Sequence, residues 1–122
     1  MKPLALLLYF NSLTGGQLTA RLQEMDYRVH AISDPGLLQE TCEREKPLVL
    51  LAEVTMSNGV CAAIAQMKKN PLTAHIPALG FAAAHDKALQ TLAEESGVSL
   101  LTGNAAVVDH LPVLLDQVLQ LD

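Results

Sequence analysis

The sequence predicts an α/β domain, a doubly wound parallel sheet of five strands with helices on both faces. Three observations lead there. Apolar runs of strand length alternate with amphipathic stretches of helix length along the whole chain. The run over residues 47–54 is apolar almost throughout instead of alternating, as in a strand covered on both faces. The connections are short, and right-handed crossovers between parallel strands then leave few other arrangements.

The first strand is expected at residues 4–10. Leu18, Leu22 and Met25 then recur at i, i+4 and i+7, one face of a helix. Residues 27–31 make a short second strand. Asp34 is placed to cap the next helix, with Pro35 at its first position, where a missing N–H does no harm; that helix runs to about residue 45. Residues 47–54 are the third strand. Ser57, Asn58 and Gly59 form a loop, and Val60, Ile64 and Met67 stripe a third helix that Asn70 and Pro71 end. The fourth strand is residues 76–82. A fourth helix over residues 85–96 turns Leu89, Leu92 and Ala93 inward and stops at Gly97. Residues 98–101 make a short fifth strand, and residues 104–108 an apolar loop. Leu111, Leu114, Leu115 and Val118 stripe the last helix, with Asp109 as its N-cap and Pro112 in its first turn. Residues 1–122 read as a single domain with no linker, repeat or low-complexity segment.

Composition excludes several classes of function. Half of the 122 residues are hydrophobic, enough for a full core without staples. With no Trp, two Tyr and two Phe, an aromatic cage or base-stacking platform is not expected. Thirteen acids against eight Lys plus Arg give a net charge of -5, and Lys68-Lys69 is the nearest approach to a basic cluster, so nucleic acid is not an expected partner. Cys42 and Cys61 lack metal or redox spacing and fall on apolar helix positions, which suggests buried, reduced thiols and a cytoplasmic setting. The N-terminal apolar run is too short for a secretory leader or a membrane span and reads as a strand. His30, His75, His85 and His110 are dispersed without ligand spacing, so neither a metal nor a cofactor is expected, and no catalytic set supports an enzyme.

In a sheet of this class the functional crevice lies beyond the carboxyl ends of the strands. That draws attention to Tyr9, Phe10, Asn11, Glu53, Thr55, Ala82, Gly103 and Asn104. Glu53 is the most informative, because it puts a carboxylate at the end of an otherwise buried strand.

The segment Lys68-Lys69-Asn70-Pro71-Leu72-Thr73-Ala74-His75-Ile76-Pro77-Ala78-Leu79 resembles the receiver domains of two-component response regulators. So do the run from Glu45 through Glu53 to Gly59 and the stretch Ser96-Gly97-Val98. The resemblance covers nearly the whole chain. It implies a flavodoxin-like fold with strand order 2-1-3-4-5. A working receiver holds Mg²⁺ on an acidic pair after its first strand and accepts phosphate on an aspartate ending its third. A hydroxyl closes its fourth strand and a lysine its fifth. Such a site works by positioning and charge neutralisation.

Matched to that pattern, the acidic pair falls on Tyr9 and Phe10, and the phospho-acceptor position on Glu53. The hydroxyl falls on Ala82, and the lysine on Asn104, or on Gly103 if the loop is one residue shorter. The proline usual after the acceptor is replaced near Ser57. The resemblance therefore implies a pseudo-receiver that meets protein partners (a histidine kinase, an effector or another signalling protein) through its fourth helix, fifth strand and fifth helix. That face covers residues 86–120, with Lys87, Gln90, Glu94, Glu95, Asp116 and Gln117 as contacts, and a second copy of the chain is a further candidate partner.

Several alternatives stay open at this stage. Glu53 either imitates a phosphorylated aspartate or is a strand-end carboxyl bonded to loop amides or solvent. Tyr9 and Phe10 either shape a small-ligand pocket or fill the space of the metal. A phosphorylation-competent regulator with displaced acids is one rival. The other is a flavin or nucleotide binder, because Ser12-Leu13-Thr14-Gly15-Gly16-Gln17 resembles the phosphate loop of flavodoxins.

Overall fold

The computed structural model describes residues 2–56, 59–83 and 86–120. Five strands form one parallel sheet: β1 (Leu4–Leu8), β2 (Arg28–Ile32), β3 (Val49–Glu53), β4 (Ala78–Ala82) and β5 (Leu100–Gly103), in the spatial order β2-β1-β3-β4-β5. Between them run α1 (Ser12–Glu24), α2 (Leu38–Glu45), α3 (Val60–Lys69) and α4 (Lys87–Ser96), and the chain finishes with α5 (Asn104–Asp109) and α6 (Leu111–Gln120).

The two-residue period of the strands divides the core in two. Leu6, Leu8, Leu50, Ala52 and Ala78 face α2, α3 and α4, meeting Leu38, Cys42, Ile64, Met67, Leu89 and Ala93. Ala5, Leu7, Leu51, Leu79 and Phe81 face the other way and meet Leu18 and Leu22 of α1 with Val107, Leu111, Leu115 and Val118. The three central strands β1, β3 and β4 are buried at every position, so their continuous apolarity follows from having helices on both sides. Truncating a leucine such as Leu6 or Leu50 to Ala would cost about 2–5 kcal/mol.

Several caps match expectation. The Asp34 carboxylate accepts the Gly36 N–H at 2.9 Å, opening a 3₁₀ turn at Pro35–Leu37 that flows into α2. Gly97 ends α4 with φ 106, and a Cβ there would lie 2.6 Å from Cγ of Lys68. Lys68 in turn donates to the carbonyls of Ala74 (3.4 Å) and Ile76 (2.7 Å), and buried Thr73 donates to the Met67 carbonyl at 2.7 Å. The 68–79 segment is thus a tied turn between α3 and β4.

Other expectations shift. β1 stops at Leu8 and not at residue 10, because Asn11 already caps α1. The fifth strand begins two residues late. Val98 N–H is held by the Ala93 carbonyl and its side chain packs in the α4 core, so ladder pairing starts with Leu100 opposite Leu79. The expected loop at 104–108 is helical, and Asp109 ends α5 instead of capping α6. Pro112 does fall in the first turn of α6. Its ring nitrogen has no hydrogen to give Val108, four residues back, and the Arg21 guanidinium of α1 takes that place. Arg21 Nε donates to the Val108 carbonyl at 3.1 Å and Nη2 to the Asp109 carbonyl at 3.5 Å. Ser57, Asn58 and His85, named in the sequence reading, lie outside the described residues.

Candidate functional site

Parallel register brings the expected residues to one edge. Glu53 ends β3 opposite Phe81, and Ala82 ends β4 opposite Gly103, the last residue of β5; Asn104 opens α5 directly after it. Tyr9 and Phe10 follow β1, the neighbour of β3 on the other side. Glu53, Thr55, Met56, Ala82 and Asp86 line a shallow cavity of about 210 Å³ there.

Glu53 is buried, at 9% exposure, and its side chain reaches across to the loop after β1. One oxygen, Oε1, accepts both the Phe10 and the Asn11 N–H, each at 2.9 Å. Hydrogen bonds that gather on an ionised oxygen are among the stronger in proteins. The extra methylene of Glu over Asp extends the carboxylate towards that loop. Of the two readings of Glu53, bonding to loop amides is the one these contacts display.

The loop itself is closed by a second cap. The Asn11 side chain accepts the Leu13 N–H at 3.0 Å and the Thr14 N–H at 3.4 Å, and its carbonyl takes the Gly15 N–H at 2.9 Å. The amides at Phe10, Asn11, Leu13 and Thr14 are all engaged within the chain. Residues 12–17, which resemble a flavodoxin phosphate loop, are the opening turns of α1 and retain few free donors for a phosphate.

The two aromatic positions behave differently. The Tyr9 ring lies over Gly15, where an added Cβ would clash with Cδ2, and it packs against the α1-side core. Phe10 is 38% exposed. Gly15 is required by that ring, so part of the glycine pair serves packing and not phosphate approach.

Magnesium is the ion that working receivers hold, and the donors present do not fit it. Neither Tyr9 nor Phe10 offers a carboxylate. Glu53 Oε1 is occupied by two amides, and the only other acid lining the cavity, Asp86, caps α4 by accepting the Leu89 N–H at 2.9 Å. Mg²⁺ normally takes one or two carboxylates in near-octahedral array. Among the described residues no three His, Cys, Asp or Glu side chains converge to hold a metal ion. At the same edge Ala82 supplies no hydroxyl and Asn104 no cation. Two buried oxygens, Thr55 Oγ1 and Asn104 Oδ1, have no hydrogen-bond partner among the described residues.

Sequence reasoning missed the roles of Asp86 and Arg21. Asp86 had a legible signal, a capping residue just before an amphipathic run. Arg21 had none, because its partners are carbonyls 87 and 88 residues away.

No protein-family model matches the sequence, and no curated protein matches it significantly. Solved structures do match. A chain assigned as a response regulator from Chloroflexus aurantiacus J-10-fl superposes with a TM-score of 0.87 at 16% identity, covering 98% of this chain and 99% of that one. The receiver domain of the sensor histidine kinase PA1611 from Pseudomonas aeruginosa PAO1, solved with magnesium in its active-site cleft, gives 0.86 at 16% identity, with coverage of 98% and 99%. A response regulator from Thermotoga maritima gives 0.84 at 13% identity over 98% and 99%. The fold is flavodoxin-like and is the one used by response-regulator receiver domains. Among the described residues no helix is long and apolar enough to cross a membrane.

Proposed function

We propose that this chain is a pseudo-receiver, a non-catalytic signalling module of a two-component or phosphorelay system that acts through protein contacts and not through aspartyl phosphorylation. The observation that carries the reading is the double acceptance at Glu53 Oε1, which commits the carboxylate at the phospho-acceptor position to the Phe10 and Asn11 amides. The residues at the other family positions point the same way. Tyr9 and Phe10 replace the acidic pair, Ala82 the hydroxyl, and Asn104 or Gly103 the lysine. Phosphoryl transfer depends on neutralising charge and positioning the phosphoryl group, and these side chains do neither.

Contacts are assigned to the face of α4, β5 and the following helices. Lys87, Gln90, Glu94 and Glu95 of α4 and Asp116 and Gln117 of α6 are all exposed. The partner class is a histidine kinase, an effector or another signalling protein, with a second copy as a further option.

Incubation with acetyl phosphate and magnesium, followed by intact mass, tests the reading. The mass is expected to stay unchanged. A gain of one phosphoryl group on Glu53 or a neighbouring acid would overturn it and favour a competent regulator.

A further inference from the structure

The opposite end of the sheet carries features that the receiver reading does not use. At the amino edge a cavity of about 550 Å³ opens beneath the starts of the strands. Following the sheet order, its rim carries Arg28 at β2, Lys2 before β1, Lys46 before β3 and His75 before β4. Three of the eight Lys and Arg residues of an acidic chain therefore line one groove. Its floor is apolar and includes Leu48, 46% exposed, with Pro77 and Leu119. A second cavity of about 400 Å³ shares Lys46 and His75 and extends the groove under α2 to Leu72, 68% exposed.

Two acids also line these cavities, Glu45 the first and Glu43 the second, and both are engaged by neighbouring side chains. Glu45 accepts from Arg44 at 3.1 Å and lies 3.8 Å from His30. Glu43 accepts from the side-chain amides of Gln39 at 2.8 Å and Asn70 at 3.3 Å. Arg28 Nε is steadied by the Lys2 carbonyl at 3.3 Å. Among the described residues the Lys2 ammonium meets only exposed Asp26, at 4.0 Å. The side chain of Lys46 has no hydrogen bond or ion pair among the described residues.

Lys46 is also held in a backbone conformation that favours glycine. It is the C-cap of α2 with φ 52 and ψ 59, left-handed for a residue with a Cβ. A lysine kept there strains the chain and brings no side-chain hydrogen bond or ion pair among the described residues in return, a pattern associated with ligand-contacting positions.

We propose that the amino-edge groove is a docking site for an acidic, apolar segment of a partner protein. Cations spread along the starts of three neighbouring strands, about 10 Å at ~4.8 Å per strand spacing, match an extended chain of roughly three residues better than one compact anion. Acidic side chains meet Arg28, Lys2 and Lys46, and apolar ones reach Leu48 and Leu72. The proposal stands apart from the pseudo-receiver reading, since this edge takes no part in phosphotransfer.

The test uses the full chain and three fluorescein-labelled peptides, alternating Asp–Leu, Lys–Leu and Asp–Ser, read by anisotropy and by backbone amide shifts. The Asp–Leu peptide is expected to bind best, to weaken with salt, and to move the amides of Arg28, Lys46 and Leu48. Arg28→Glu with Lys46→Glu is expected to weaken binding about tenfold or more, as for charges facing a partner of opposite sign. Lys46→Gly is expected to weaken binding while the melting temperature holds or rises, which separates lost contact from lost folding. Equal binding of the Lys–Leu peptide would overturn the proposal. So would shifts confined to another face, unchanged binding by the double variant, or a uridine oligonucleotide occupying this edge while the Asp–Leu peptide stays silent.

Discussion

At the carboxyl edge of the sheet the acids are engaged by backbone amides of their own chain, whereas at the amino edge the cations have, among the described residues, few or long contacts. Glu53 and Asp86 each accept backbone amides that open a helix or its approaching loop. Among the described residues the Lys46 side chain has no hydrogen bond or ion pair, and the Lys2 ammonium has only a long, exposed contact to Asp26. A charge engaged by the fold adds stability but is withdrawn from ligands. A charge left free adds little to stability and stays available. In receiver-fold proteins the carboxyl edge is where chemistry is expected, yet in this chain the amino edge gathers the less engaged cations among the described residues.

Removing an engaged group should destabilise the protein, and the largest effect is expected at Glu53. Glu53→Ala leaves the Phe10 and Asn11 amides without their acceptor and should lower stability by about 2 kcal/mol in urea unfolding. Glu53→Gln, which keeps an oxygen, should lose less. Glu53→Asp, one methylene shorter, should lose nearly as much as Ala; if it instead loses nothing, the reach of the longer side chain is not what closes the loop.

Arg21 is engaged in the same sense, as the stand-in donor where Pro112 breaks the backbone ladder. Arg21→Ala should cost about 1 kcal/mol, the usual net value of such a hydrogen bond. Thermal melts of Arg21→Ala in the wild-type and Pro112→Ala backgrounds would show whether the loss shrinks once residue 112 has its own N–H.

A free charge should behave oppositely. Lys46→Gly removes a strained left-handed lysine and should raise stability by about 0.5–1 kcal/mol. A clear loss would mean that Lys46 makes a contact important to the fold.

The smallest effect is expected at Glu45. The hydrogen bond from Arg44 holds its carboxyl below the ordinary value of 4.5. Since the folded value is the lower one, the contribution is present above about pH 4.5 and is lost as pH falls through the folded value. Unfolding of Glu45→Gln followed from neutral into acid should therefore fall less steeply than the wild type in that window.

Most of the sheet was legible because burial on both faces writes itself as continuous apolarity. Residues 47–54 announced a central strand, and Asp34-Pro35 announced a cap whose geometry is local. Elements governed by distant contacts were harder to read. The fifth strand shifted because Val98 belongs to the α4 terminus, and the break between α5 and α6 depends on Arg21 from the first helix. At the site, residue identities revealed which chemical groups are missing from Tyr9, Phe10, Ala82 and Asn104. They did not reveal that Glu53 bridges to the loop after β1, because that contact spans 43 residues. The amino-edge groove escaped notice because its cations sit far apart in sequence and only parallel register aligns them.

The most direct test is a backbone amide titration of the wild-type chain with magnesium chloride, following Phe10, Asn11 and Glu53. With the Glu53 carboxylate committed to the two amides, their shifts should stay fixed into the millimolar range. Saturable movement of all three signals, marking a cation seated against Glu53, would contradict the closed loop and restore the site to phosphotransfer.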